Sequence, residues 1–163
     1  MDIKQNKPSS KRGYSQGYYK LNNPEKYVGD PSKIIYRSSW EYRFMRYCDD
    51  TQDVVKWSSE PTSIPYFNPI DQREHKYFVD FYLRVDKKGK YQDFLAEVKP
   101  KASLLRPILE NRHTVKKLKQ YNDALKTWLI NRAKFAAANE FAKTRGYKFV
   151  VLTEEFLFEN FKK

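Results

Sequence analysis

Lys76-Tyr77-Phe78-Val79-Asp80-Phe81-Tyr82-Leu83-Arg84-Val85 and Tyr91-Gln92-Asp93-Phe94-Leu95-Ala96-Glu97-Val98-Lys99 are the two runs that decide the fold. Both alternate apolar and polar residues with the period of a strand. Lys88-Gly89 lies between them and reads as a hairpin turn. A tight loop centred between Lys88 and Gly89, or a four-residue loop Lys87–Lys90, pairs Phe81 with Ala96 and Val79 with Val98. Either puts Val79, Phe81 and Leu83 on one face with Val98, Ala96 and Phe94. A three-residue loop slips the register and sets acidic positions against apolar ones, so it is rejected. In the accepted register Asp80 stands directly opposite Glu97, and Lys99 follows Glu97 on the same face. Like charges opposite one another on a sheet repel. Either a hard divalent cation relieves that repulsion, or the face is solvated and holds an ordinary Lys–Glu pair.

Working outward, Ser38 and Glu41 have capping-box spacing before a helix that runs to about Asp49. Val54 to Ser58 reads as a strand. Pro61 and Pro65 bracket an extended segment leading to Tyr66, and Asn68-Pro69-Ile70-Asp71 reads as a turn. Pro100 stops the second hairpin strand, and Pro107 interrupts the stretch Leu104–Leu109. One helix is expected over about Arg112–Leu125 and another from Thr127 or Trp128 to Thr144. Gly146 is placed to end the second. Tyr147–Leu152 is a last buried strand, and Glu154–Phe161 a short terminal helix. Trp128, Phe135 and Phe141 are assigned to the core. The order predicts a mixed α/β domain around a small sheet.

The chain has 163 residues, with 32 Lys+Arg against 20 Asp+Glu and a formal charge of +12. Residues 1–20 carry net +4 and residues 99–120 net +6, so most of the excess lies in two segments. Such a field favours polyanions, nucleic acid before anionic membrane. The single cysteine, Cys48, excludes an intrachain disulfide, and with two histidines it cannot assemble a Cys/His metal site. No apolar run has the length of a transmembrane helix and no apolar signal core opens the chain, so a cytoplasm-like compartment and no membrane partner are expected. Residues 1–27 read as a basic, partly flexible arm, and 28–163 as one domain. Tyr14, Tyr18 and Tyr19 are either base-stacking groups or incidental residues of that arm.

Asp80 followed by Glu97-Val98-Lys99 on the next strand resembles the signature of the PD-(D/E)xK nuclease superfamily, with Val79 where proline is usual. Proline is not a ligand, so the departure leaves the chemistry intact. Further runs extend the likeness. They are Lys20-Leu21-Asn22-Asn23-Pro24-Glu25-Lys26-Tyr27, Tyr36-Arg37-Ser38-Ser39-Trp40-Glu41, Trp57-Ser58-Ser59-Glu60, Ile64-Pro65-Tyr66, His75 to Phe81, Glu97-Val98-Lys99-Pro100 and Phe149 to Glu154. Together they resemble the head completion nucleases of T-even-type bacteriophages and, more widely, the endonuclease domain of Tn7-like transposases.

The resemblance implies a restriction-endonuclease-like core and a Mg²⁺- or Mn²⁺-dependent DNA nuclease of little sequence specificity. It also implies action in phage head completion. Asp80 and Glu97 would bind the metal, with the Val98 carbonyl as a further ligand. Lys99 would orient or deprotonate the attacking water, or stabilise charge on the phosphate. Its carboxylate neighbours favour the electrostatic role. Glu41 is either a third carboxylate at the metal or the capping partner of Ser38. Glu60 is either a ligand for a second metal or a solvated acid. Lys101, Arg112, Lys116, Lys117, Gln120 and His75 are the candidate DNA contacts. For His75 a structural strand-end role competes, and for Lys116 and Gln120 a solvated helix face. DNA is the implied partner, with phage head, portal or neck proteins, in the host cytoplasm during assembly or on the virion. The rival reading is a structural DNA-binding, capsid-completion protein on a nuclease fold with dispensable catalysis. A weaker third is an RNA-binding protein.

Overall fold

The computed structural model describes residues 16–112 and 114–160. Short strands β1 (Gly17–Tyr18) and β2 (Ile35–Tyr36) flank two 3₁₀ turns, Pro24–Lys26 and Pro31–Lys33. Then come α1 (Ser39–Asp50), β3 (Val54–Ser59), β4 (Ser63–Asn68), β5 (Arg73–Phe78), β6 (Phe81–Asp86) and β7 (Tyr91–Val98). The chain closes with α2 (Lys101–Leu104), α3 (Val115–Lys143), β8 (Lys148–Leu152) and α4 (Glu154–Asn160). The central sheet has the order β3-β6-β7-β8. Its β7–β8 pair is parallel and the other two are antiparallel, and β1–β2 and β4–β5 form separate two-stranded pairs. The mixed α/β class is as expected.

The hairpin register is also as read, with Phe81 opposite Ala96 and Asp86 opposite Tyr91. Lys88 and Gly89 form the two-residue tip with φ of 56° and 83°. Those positive angles match a turn whose twist suits the flanking strands. One expectation fails at the base of the hairpin. The run Lys76–Val85 is not one strand but two, broken at Val79-Asp80. β5 pairs with β4, and β6 pairs with β7 and β3. Val79 therefore buries against Ile64, Tyr77 and Leu95, away from the Phe81, Leu83, Ala96 and Val98 cluster it was assigned to. Strand alternation carries no signal for a chain that changes sheets while remaining extended.

Two apolar clusters sandwich the sheet. On one face α1, α4 and the segment from Tyr19 to Tyr36 cover Trp57, Phe81, Leu83, Ala96 and Val98. On the other, the β4–β5 pair and the Ala-rich half of α3 cover Leu95 and Val79, with Ala138 and Ala142 fully buried. Small side chains there let the helix backbone approach the strands.

Two further readings are corrected. The expected helices Arg112–Leu125 and Thr127–Thr144 are one continuous helix, α3, of 29 residues. No Pro or Gly intervenes, and the Thr127 hydroxyl donates to the Asp123 carbonyl within the helix at 3.0 Å. Gly146, with φ of 71°, ends it as expected, and the Tyr147 amide reaches back to the Ala142 carbonyl at 2.9 Å. Residues 17–27, assigned to the arm, are built into the domain. Tyr19 is core rather than a base-stacking group, and Tyr18 is exposed. Tyr14 lies outside the described residues, as do residue 113 and the Phe161 end of the terminal helix.

The anchor of that segment is Asp49, fully buried at the end of α1. Its carboxylate accepts from the Tyr19 hydroxyl at 3.1 Å, the Asn22 amide at 2.7 Å and the Asn23 amide at 3.0 Å. An isolated buried carboxylate would be costly; three donors make this one tolerable. Asp49→Ala should leave those donors unpaired and destabilise the protein by about 2–4 kcal/mol. A lowered urea midpoint with unchanged slope is the expected result.

Candidate functional site

The break between β5 and β6 builds the site. At Asp80 the chain leaves one strand pair and enters the central sheet, so the aspartate lies at the start of β6, beside the end of β7. Its backbone carbonyl accepts from the Glu60 amide at 2.8 Å, securing the neighbouring β3. Its carboxylate Oδ2 accepts from the Val98 amide at 2.8 Å. The expected ladder pair of Asp80 with Glu97 is therefore absent, and the aspartate side chain serves the amide that a continued strand would have bonded. The two carboxylates still meet, because β7 alternation turns Glu97 to the face Asp80 occupies.

Glu97 is 3% exposed. Its Oε2 accepts from the Tyr77 hydroxyl at 2.6 Å, and its Oε1 lies 3.0 Å from Lys99 Nζ. Tyr77 comes from β5 and was not singled out by the sequence. A tyrosine on an alternating strand reads as core, and its body is core; only the fold shows that its hydroxyl ends on Glu97. Each oxygen of the glutamate thus has a fixed donor, which sets its orientation.

Burial, and next the Glu97 charge, push the Asp80 carboxyl well above the usual carboxylate range; the Val98 amide and Lys99 oppose this without cancelling it. Burial alone would depress the Lys99 ammonium. Glu97, then Asp80 and Glu41, override it, and the pKa ends above its ordinary value. Lys99 is accordingly a held positive charge rather than a ready base.

Glu41 sits in the first turn of α1 as the cap partner. The Ser38 hydroxyl accepts from the Glu41 amide at 3.1 Å and donates to Glu41 Oε1 at 3.2 Å. Glu41 Oε2 accepts from the Arg37 amide at 2.8 Å. Both oxygens are occupied at the helix start, yet the charge is near enough to raise both Asp80 and Lys99. Among the described residues no three His, Cys, Asp or Glu side chains group as a metal cluster. Glu60 forms a bidentate ion pair with Arg37, so its carboxylate is engaged. Arg37, not anticipated from sequence, brings a second cation toward Glu41 and Asp80, and with Glu60 first these acids raise its pKa.

The candidate DNA contacts are not gathered in one place. Lys101 is tied to α4, its amide on Glu154 at 2.8 Å and its Nζ on Glu155 at 2.6 Å. Lys117 pairs with Glu110 at 2.7 Å. Arg112 precedes α3, and Lys116 and Gln120 are exposed in its first turns. His75 lies on β5, 2.7 Å from Asp71 and tilted against Tyr66. It faces the β4–β5 turn, which favours the structural reading over a shuttle at Asp80.

Residues 51–154 match the family described as TnsA-like endonuclease N terminal. That span includes Asp80, Glu97 and Lys99, with Glu41 outside it. The chain is similar to the head completion nuclease of Enterobacteria phage T4, 37% identical over 139 residues, 85% of this chain and 91% of that protein. No solved structure matches it.

The Asp80 shift has a definite sign. A carboxyl whose folded pKa exceeds its unfolded value adds stability at low pH, and loses that stability as pH rises through the folded pKa. Metal-free protein should therefore lose stability from this group between acid and neutral pH. Over the same interval, added Mn²⁺ should bind more tightly as the competing proton leaves; a flat affinity measured by calorimetry would contradict this. Tyr77→Phe should weaken Mn²⁺ binding about 10-fold or more while leaving the fold intact, since it frees one Glu97 oxygen.

Proposed function

The chain belongs to the TnsA-like endonuclease N-terminal family, and from that footing we propose that it is a metal-dependent DNA nuclease of bacteriophage head completion. The observation that supports the reading most is the confinement of two carboxylates, Asp80 and Glu97, with one lysine to satisfy them. A buried like-charged pair at a sheet end is unfavourable unless a positive group completes it. Lys99 is bonded to Glu97 and leaves Asp80 with only an amide donor.

The donor set fits a hard divalent cation. Asp80 and Glu97 offer carboxylate oxygens and Val98 a backbone carbonyl, and Mg²⁺ or Mn²⁺ needs few protein ligands when water and phosphate supply the rest. Such a cation, when bound, supplies Lewis acidity toward water and the scissile phosphate. Glu41 is not required as a ligand; from α1 it adds negative potential that draws a cation and holds Lys99 charged. The protonated Lys99 anchors Glu97 and presents positive charge where phosphate charge develops. Tyr77 keeps Glu97 from rotating away.

Phosphodiester bonds of DNA are the proposed substrate. Arg112, Lys116 and Gln120, exposed at the start of α3, are the proposed contacts to backbone phosphates, which would give affinity without base reading. Lys101 and Lys117 are bound to carboxylates and would have to exchange partners to do the same. The relative's name, head completion nuclease, supports a role at the phage head; partnership with head, portal or neck proteins and action in the host cytoplasm are proposed with it. Among the described residues no helix is long and apolar enough to cross a membrane.

Cleavage of linear and branched DNA with Mg²⁺ or Mn²⁺ is the direct test. Asp80→Ala and Glu97→Ala should lose essentially all activity, and Lys99→Ala should lose about 10²–10³-fold in rate. Wild-type activity in Asp80→Ala would remove the proposal and leave a structural DNA-binding role on this fold.

A further inference from the structure

A cleft of about 870 Å³ runs along the face of the central sheet that carries Asp80 and Glu97. Its floor includes Ser58, Tyr82 and Leu95, and its walls are Tyr27 on one side and Arg145 and Tyr147 beyond α3 on the other. Strand alternation puts its floor on the same sheet face as the site. Tyr82 and Arg84 follow Asp80 on β6 at steps of two, and Leu95 precedes Glu97 on β7 by two. Glu60, whose amide holds the Asp80 carbonyl, stands at the rim.

We propose that this cleft seats one unpaired strand of DNA, so that the substrate of the neighbouring site is DNA bearing a single-stranded tail or flap. The inference rests on the nuclease reading for its catalytic half and on the cleft alone for its binding half.

Three features support it. The first is aromatic surface. Tyr82 and Tyr147 lie with ring centroids 5.9 Å apart and planes tilted by 46°. The Tyr82 ring is held by its hydroxyl, which donates to Asp93 at 2.7 Å. Rings held in this way are stacking platforms that any base can use.

The second is charge. Each nearby carboxylate is matched by a cation: Asp30 by Lys33 at 3.1 Å, Asp93 by Arg84 at 2.8 Å, and Glu60 by Arg37. Lys56 and Arg145 instead donate to backbone carbonyls, of Glu25 at 2.7 Å and of Phe141 at 3.4 Å. Neither has a carboxylate partner within ion-pair distance among the described residues. The cleft is therefore lined by two positive charges without a carboxylate partner, Lys56 and Arg145, which can meet the phosphates of a bound strand.

The third is size. The volume is that of a small-ligand cleft. It suits a few unstacked nucleotides rather than a length of duplex.

The test uses the full chain. Binding of a fluorescent single-stranded oligonucleotide and of a blunt duplex is measured by anisotropy without divalent metal, and cleavage of forked and blunt duplexes with Mn²⁺. Lys56→Glu with Arg145→Glu should weaken single-strand binding by about tenfold or more relative to duplex, and abolish any preference for cutting the fork. Tyr147→Ala should lose single-strand affinity while Tyr147→Phe keeps it, which separates stacking from a general loss of structure. Equal losses on both DNA forms, or unchanged single-strand binding in the charge-reversed protein, would overturn the proposal. If wild type and Asp80→Ala bind the single strand alike but neither cuts, the nuclease reading fails and the cleft stands. If wild type cuts and no variant changes single-strand binding, the cleft fails and the nuclease stands.

Discussion

The Asp80 carboxylate accepting from the Val98 amide is the constraint on which the site depends. It ties the start of β6 to the end of β7 at the point where the backbone ladder stops. With that bond made, the chain can leave the central sheet toward β5 without orphaning the Val98 donor. Departure of the chain opens the space in which Asp80 and Glu97 face one another. A backbone ladder continued to Val79, opposite Val98 in this register, would have satisfied the same amide and closed that space.

Around this bond the other groups act to keep charges in place. Tyr77 and Lys99 each take one oxygen of Glu97, and Ser38 and the Arg37 amide take those of Glu41. Arg37 is drawn to Glu60. Glu97, Glu41 and Glu60 thus each have a donor on both carboxylate oxygens, whereas Asp80 has the Val98 amide on one oxygen and a buried negative neighbour. Its raised pKa is the physical expression of that imbalance, and it marks where a cation is most favoured.

The larger framework divides support between two layers. Buried Asp49 fastens the segment from Tyr19 to Asn23 onto α1, and this segment carries the chain toward Tyr27, the wall of the cleft. On the opposite layer the Ala-rich half of α3 packs flat against the sheet, while its first turns, with Lys116 and Gln120, stay exposed. One helix therefore serves as both a structural floor and a basic projection. Its length, about 43 Å at 1.5 Å per residue, makes the double role possible.

Much of this was legible in the residues themselves. The alternation in Phe81–Val85 and Tyr91–Val98, with Lys88-Gly89 between, sets the hairpin register and the shared face of Glu97 and Lys99, because side-chain period and turn chemistry are local properties. Ser38 with Glu41 likewise announces the start of α1, and Gly146 the end of α3. Three things were decided only by the tertiary structure. The break at Val79-Asp80 is invisible to periodicity, since an extended chain can change partners without changing its pattern. The choice of Glu41 as cap, and the meeting of Tyr77 with Glu97 and of Arg37 with Glu60, depend on contacts across at least two elements or a competition between partners. The ordering of residues 17–27 depends on Asp49, far along the chain, because a polar segment acquires structure only when a buried group elsewhere needs its donors.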